Sequence, residues 1–361
     1  MTADSATTTP QRKGLFRRGA LRRHMSKAAR REAIEGYLFL LPNFLGFVIF
    51  FAIPLLMSLY YSFTDYNLFN DPNWVGTANY QKALGFTLQP ENYQKAVEQG
   101  KPFLDSIGRA IKTNDPLFWT SLSNTIVYAL GVLLLSVPTA FYLAWLLNSK
   151  IRGMVIFRGL FYIPVVAAIV GVALVWFWIF QRDSGVLNTI ISGIVNFLNS
   201  IITPLGLKPI EDPLIGWLTD PNWAMVSLII MRSWQTIGYN MVIFLAALQG
   251  IPVMLFEAAL VDGATRNDML RKIVVPLLTP SIFFVVVTTI INGLQIFAEP
   301  YIMTQGGPAN STITLVYYLY QKGFQRFQMG YGASLAWLAF GIIFAITTVQ
   351  FRLSKRWVYE E

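Results

Sequence analysis

Residues 252–276 read PVMLFEAALVDGATRNDMLRKIVVP. Pro252 suits the opening of a helix, and Glu257, Ala258, Ala259 and Leu260 are strong helix formers that carry it forward. Gly263 then supplies a backbone position free to turn sharply, so the stretch predicts two short helices, the second closing at Pro276. Apolar runs flank it at residues 223–248 and 281–300, each about the 20 residues that a helix needs to cross a hydrocarbon core of about 30 Å. A helical hairpin carrying Arg266, Arg271 and Lys272 between two such runs reads as a cytoplasmic loop of a multi-span membrane protein. Its first piece could insert as a small-faced knob into a groove on another protein, or lie on the membrane as an amphipathic connector.

Carried outward, the same test finds six segments: 37–63, 122–147, 157–180, 223–248, 281–300 and 333–351. The fold expected is therefore all-α, with six transmembrane helices in a permeating domain over 36–352 and short tails at 1–35 and 353–361. Composition agrees: 54% of the 361 residues are hydrophobic and 13% charged, too apolar for an ordinary soluble domain. Nine of the 28 Lys and Arg fall between Arg12 and Arg31, ahead of the first span. Lys150, Arg152 and Arg158 lie between the second and third spans, and Arg352, Lys355 and Arg356 follow the last. These regions and the 250–276 loop should be cytoplasmic, both termini included, whereas the first outer connection sets five basic residues against six acidic ones. The net charge of +9 is then an orientation signal and not a nucleic-acid surface. The first apolar run is about twice a signal-peptide core and lacks a small-residue cleavage site, so an uncleaved span is expected. With no Cys, and a single His (His24) in the basic tail, thiol chemistry and Cys/His metal sites are excluded. An intramembrane enzyme would lack its nucleophile–base pair.

Two outer connections are long. Residues 64–121 contain ENYQKAVEQG (91–100) and SIGRAIKTND (106–115), expected as short amphipathic helices; residues 181–222 are rich in Pro, Gly and Asn. Each is either a solvated loop or a platform for an extracytoplasmic partner.

Polar residues inside spans usually face a bundle interior or a hydrated cavity. In the fourth span Arg232, Gln235, Thr236 and Tyr239 follow i, i+3, i+4, i+7 spacing, one helix face. In the fifth, Thr288, Asn292, Gln295 and Glu299 follow i, i+4, i+7, i+11. Such groups can simply bond one another to hold a bundle. Two aligned stripes, one with an arginine, favour a hydrated path with hydrogen-bonding groups and an aromatic face at Tyr239, as a sugar requires. Glu299 is a possible charge partner for Arg232.

The 257–276 segment resembles the EAA loop of ABC-importer permeases, and Asp262-Gly263-Ala264 resembles the carbohydrate branch of that family. The flanks QGIPVMLFEAALVDGA (249–264) and FAEPYIMTQGGP (297–308) are similar to that branch, with acidic Glu299 one place later than its usual Asp. WVGTANY (74–80) and NDPLFW (114–119) look like the MalF-type partner of the permease pair, with 81–113 as an insertion that short members lack. The resemblance implies the type I ABC importer fold in a bacterial cytoplasmic (inner) membrane. It implies a coupling helix through Glu257, Ala258, Ala259, Asp262 and Gly263, docking on two cytoplasmic ATPase subunits that bind ATP and Mg. No GxxxxGK[ST] occurs in this chain, so the chain itself is expected to bind no cofactor and to be no enzyme. Further implied partners are a second homologous permease, an extracytoplasmic substrate-binding protein and membrane lipid. The substrate implied is a mono-, di- or oligosaccharide or related polyol. Aligned on that family's sugar contacts, the positions are Arg232, Gln235, Thr236 and Tyr239, then Asn292, Gly293 and Ile296. A non-sugar or anionic solute is the alternative. An ion-coupled carrier would show internal repeats, which are not evident.

Overall fold

The computed structural model describes residues 27–88, 94, 98, 99, 111–148 and 152–359. The basic tail before residue 27, the 91–100 stretch apart from three residues, and the middle of the 81–113 insertion lie outside them. The chain divides into two compact units, residues 1–57 and 58–361.

The first unit holds helix α1 (Lys27–Phe47), a π-helical turn (Val48–Ala52) and the start of α2 (Ile53–Tyr61). None of its described residues is buried, and Phe39 and Phe50 are 87% and 81% exposed. A helix apolar all round and unburied in its own chain is made for lipid or for a second subunit.

The second unit begins where the first span ends, and WVGTANY explains the join. Asn79 donates its amide to the carbonyls of Ser62 (2.9 Å) and Thr64 (2.8 Å), and the Tyr80 hydroxyl reaches Ser62 Oγ at 2.8 Å. Helix α3 (Ala78–Leu84) leads into a small antiparallel hairpin, β1 (Phe86–Leu88) with β2 (Ile111–Thr113). Residues 111–113, expected within an amphipathic helix, are therefore a strand, fixed by pairing with residues 86–88 near the start of the insertion.

NDPLFW starts α4 (Pro116–Leu147). Asp115 caps it by accepting from Leu117 N (3.1 Å) and Phe118 N (3.3 Å), and Pro116 sits where no amide partner is needed. The same carboxylate accepts the Tyr318 hydroxyl at 2.5 Å and the Tyr331 hydroxyl, tying α4 to the later helices at one end of the bundle. Along α4 the buried face runs Ser121, Thr125, Tyr128, Val132, Ser136, Ala140, Ala144. Small residues there let helix backbones approach, which is how helices associate without a hydrophobic driving force in lipid.

Helices α5 (Met154–Val166) and α6 (Ile169–Ile179) occupy the expected third span but meet at 99°. Pro164 removes a helix donor shortly before Ala167 and Ala168 turn extended (ψ 135° and 130°), so the segment is two helices and not one. The following connection, expected to be loop, contains α7 (Val186–Ile202), an amphipathic helix. Its Asn188 bonds the carbonyls of Arg182 (2.7 Å) and Ile215 (2.8 Å) and accepts from Trp217 Nε1 (2.9 Å).

Helix α8 (Pro221–Gly250) packs on α4 along its length and on α5. A Cβ on Gly238 would lie 2.0 Å from the Phe161 carbonyl oxygen, so α8 and α5 touch backbone to backbone. Helix α9 (Val253–Val261), α10 (Arg266–Leu277) and α11 (Thr279–Leu294) follow. The fifth segment, expected to reach residue 300, ends at Leu294. Beyond it the helix breaks at Ile296 and Phe297 and a short helical stretch ending in a π-helical turn (Pro300–Thr304) follows, with Thr314 Oγ1 donating to the Ile296 carbonyl at 3.2 Å. Short α12 (Leu315–Tyr320) and long α13 (Met329–Ser354) close the chain.

A polar cleft and a coupling loop on one helix

The two polar stripes meet across α8 and α11. Arg232, Thr236 and Tyr239 line one cleft with Asn292 and Gly293. Arg232 Nη1 donates to Gln235 Oε1 (3.1 Å), and Gln235 Nε2 in turn donates to the Ala167 carbonyl (3.3 Å), which the break between α5 and α6 leaves without a helical partner. Gln235 is thus a brace behind the cleft. The Thr236 hydroxyl is spent on the Arg232 carbonyl at 2.8 Å, whereas the Tyr239 ring is 42% exposed and Asn292 is exposed. Gly293 is buried: a Cβ there would sit 2.9 Å from Ala129 Cα, so it sets the distance between α11 and α4.

The later members of the second stripe, Gln295 and Glu299, and the aligned position Ile296 separate. Gln295 is the exposed cap residue of α11, and Ile296, 4% exposed, packs into the apolar core beside Tyr128 and Val132. Glu299 lies past the helix end, in a short helical stretch that resumes at residue 298, and there its Oε1 is 3.5 Å from Arg232 Nη1 and 3.2 Å from the Tyr128 hydroxyl. Glu299 is 4% exposed. The guanidinium is held between Glu299 and Gln235. The sequence reading missed Asn240, whose amide reaches Thr289 Oγ1 at 3.4 Å across the cleft, and Tyr128. Asn240 stands four residues after Thr236, so the stripe itself pointed to it; nothing local pointed to Tyr128.

The cleft measures about 30 Å³, room for a water or two. One chain supplies a wall here and not an enclosure.

At its other end α8 bends by 67° into α9. Pro252 caps α9, which contains no buried residue: Met254 is 69% and Val261 88% exposed. Glu257, Ala258, Asp262 and Gly263 are exposed and Ala259 is half-buried. Gly263 has φ +76°, the left-handed conformation that ends a helix, and Ala264 N bonds the Ala259 carbonyl at 2.9 Å. Thr265 and Asp268 then form a capping box for α10: Asp268 N donates to Thr265 Oγ1 (3.2 Å) and Thr265 N to Asp268 Oδ2 (3.3 Å). The Thr265 hydroxyl and Lys272, 3.2 Å away, hold the Asp268 carboxyl down at about 2. Arg266 lies over the Trp145 ring at 5.4 Å, anchoring the loop to the end of α4.

One helix, α8, thus carries a polar cleft at its middle and an exposed helical loop at its end. Residues 133–359 match the model of the binding-protein-dependent transport system inner membrane component. A probable ABC transporter permease protein, YesP of Bacillus subtilis, is 35% identical over 93% of this chain and 95% of its own length. The lactose transport system permease protein LacF of Rhizobium radiobacter is 35% identical over 67% of this chain and 78% of its own. A bacterial ABC transporter that imports the acidic polysaccharide alginate shares the fold, with a TM-score of 0.66 at 21% identity over 91% of this chain and 98% of that one. The chain belongs to the inner membrane components of binding-protein-dependent transport systems: it is a permease subunit of an ABC importer, not an enzyme.

Proposed function

We propose that this chain is one half of a permease pair that carries a sugar across a bacterial cytoplasmic membrane. An extracytoplasmic binding protein hands the substrate over, and two ATPase subunits holding ATP and Mg drive the cycle from the cytoplasmic side. The observation that carries the reading is the continuity of α8: its middle bears the polar wall with Arg232 and Tyr239, and its end bends into the uncovered helix α9. Movement imposed on α9 reaches the cleft through the two-residue bend at Ile251 and Pro252 and then along the unbroken α8. The small cleft calls for a second permease to complete the pathway, and the lactose-transport relative supports a sugar as the solute. In this reading six spans place both termini in the cytoplasm, and Glu257, Ala258, Ala259, Asp262 and Gly263 meet the ATPase. Asn292 and Gly293 line the sugar's path, whereas Gln295 and Ile296 lie beyond the end of that wall.

The test is Gly263→Val in the complete transporter. A β-branched residue at φ +76° strains the turn. The expected result is an assembled complex that either loses its ATPase activity or hydrolyses ATP without sugar uptake. Substrate-stimulated hydrolysis and uptake at wild-type levels would sink the coupling assignment.

A further inference from the structure

Among the described residues on the cleft wall, Arg232 alone is charged, and its charge is met from behind. The Arg232 side chain is 29% exposed and that of Glu299 5%, so the cation's edge reaches the cleft while the anion stays in the protein. The rest of the wall is neutral: the hydroxyls and amides of Thr236, Asn240 and Asn292, and the Tyr239 ring.

We infer that Glu299 is a charge-selecting residue, cancelling Arg232 so that this subunit's share of the pathway is neutral and the sugar it carries is uncharged, not a uronate. This deepens the sugar-permease reading and rests on it. Arg232 then serves the hydroxyls of a passing sugar as a planar donor fork, not as a point charge. The magnitude favours the idea. A carboxylate about 8 Å from an uncompensated guanidinium, at an effective dielectric of about 20, is favoured roughly 30-fold. With Glu299 against the same guanidinium, most of that preference is offset. A neutral sugar is indifferent to either charge.

The complete transporter, with its ATPases and cognate binding protein, is reconstituted in proteoliposomes. Uptake is compared for pairs of oligosaccharides, one neutral and the other oxidised to a uronate at one end. Pairs are chosen for which calorimetry shows the binding protein saturated by both members. Wild type should favour the neutral member, because a wall of no net charge does not offset the hydration a uronate carboxylate loses on entering it. Glu299→Gln should raise the uronate-to-neutral uptake ratio about 10- to 30-fold, and Arg232→Gln/Glu299→Gln should return it to the wild-type value. Should Glu299→Gln fail to assemble, Arg232→Gln leaves Glu299 uncompensated. It should then raise uptake of a cationic amino-sugar oligosaccharide about tenfold or more over its neutral partner. A wild type that carries the uronate as fast as the neutral chain, or ratios unmoved by these variants, overturns the proposal and leaves the sugar permease standing. If wild type takes up neither member of any pair, the sugar reading falls, and this inference with it.

Discussion

Glu299→Ala strands two groups at once: the Arg232 guanidinium and the Tyr128 hydroxyl. Arg232 stands 11 residues after Pro221, the first residue of α8, which at 1.5 Å per residue is roughly 16 Å along the helix, near the middle of a core of about 30 Å. An arginine there costs about 2.5–3.5 kcal/mol on insertion scales, and breaking a buried pair costs about 3–5 kcal/mol. Two features reduce this. The Arg232 side chain is 29% exposed to the cleft, and its bond to Gln235 survives. The unpaired Tyr128 hydroxyl adds about 1 kcal/mol. The expected loss is about 2–3 kcal/mol. Arg232→Met/Glu299→Ala leaves no stranded charge, so it should recover to within about 1 kcal/mol of wild type, well short of the two single losses summed. The assay heats the solubilised complex and reads the assembled fraction by gel filtration, where Glu299→Ala should lower the midpoint by about 3–4 °C. A Glu299→Ala complex that melts with wild type, or a double variant as weak as the two single losses summed, would refute the pairing as the means by which Arg232 is tolerated.

Three further outcomes are expected. Gly238→Ala places a methyl 2.0 Å from the Phe161 carbonyl oxygen, so α5 must retreat at a cost of about 1–3 kcal/mol or more, seen as a lower melting midpoint; an unchanged midpoint refutes the backbone contact. Asp115→Ala removes the cap of α4 (about 1 kcal/mol) and the acceptor of two tyrosine hydroxyls, so the combined loss should exceed about 2 kcal/mol, whereas a shift within about 0.5 kcal/mol would mean that the cluster contributes nothing. Because the folded Asp268 carboxyl titrates near 2, below its ordinary value, the capping box contributes fully above about pH 4 and is lost as pH falls through about 2; amide exchange at Asp268, corrected for its intrinsic pH dependence, should accelerate there and not at pH 5.

What was legible in the sequence was local. The turn at Gly263 follows from one glycine between helix formers and a Thr-x-x-Asp box, and the structure places it there with φ +76°. The stripe on α8 is legible because Arg232, Thr236 and Tyr239 share one unbroken helix. The same counting failed on α11, since spacing assumes a helix that continues: it ends at Leu294, Gln295 turns outward and Ile296 turns into the core. Helix α7 was hidden by its asparagines and glycine, although Ile190, Ile194 and Phe197 already fall on one exposed face. Pro164 announced a bend, but not a 99° break with its freed Ala167 carbonyl taken by Gln235 from another helix. Glu299 is the instructive case. The i+11 count put it on one continuous fifth-span face, and as a carboxylate near that span it was a possible partner for Arg232. It meets Arg232 from a separate helical stretch beyond a break at Ile296 and Phe297, where Thr314 bonds the Ile296 carbonyl, a contact 18 residues apart that no periodicity carries. Which groups line this cleft could be read from helix geometry, but whether their charges cancel depends on the break after α11 that sets Glu299 against Arg232, and that balance decides what the cleft can accept.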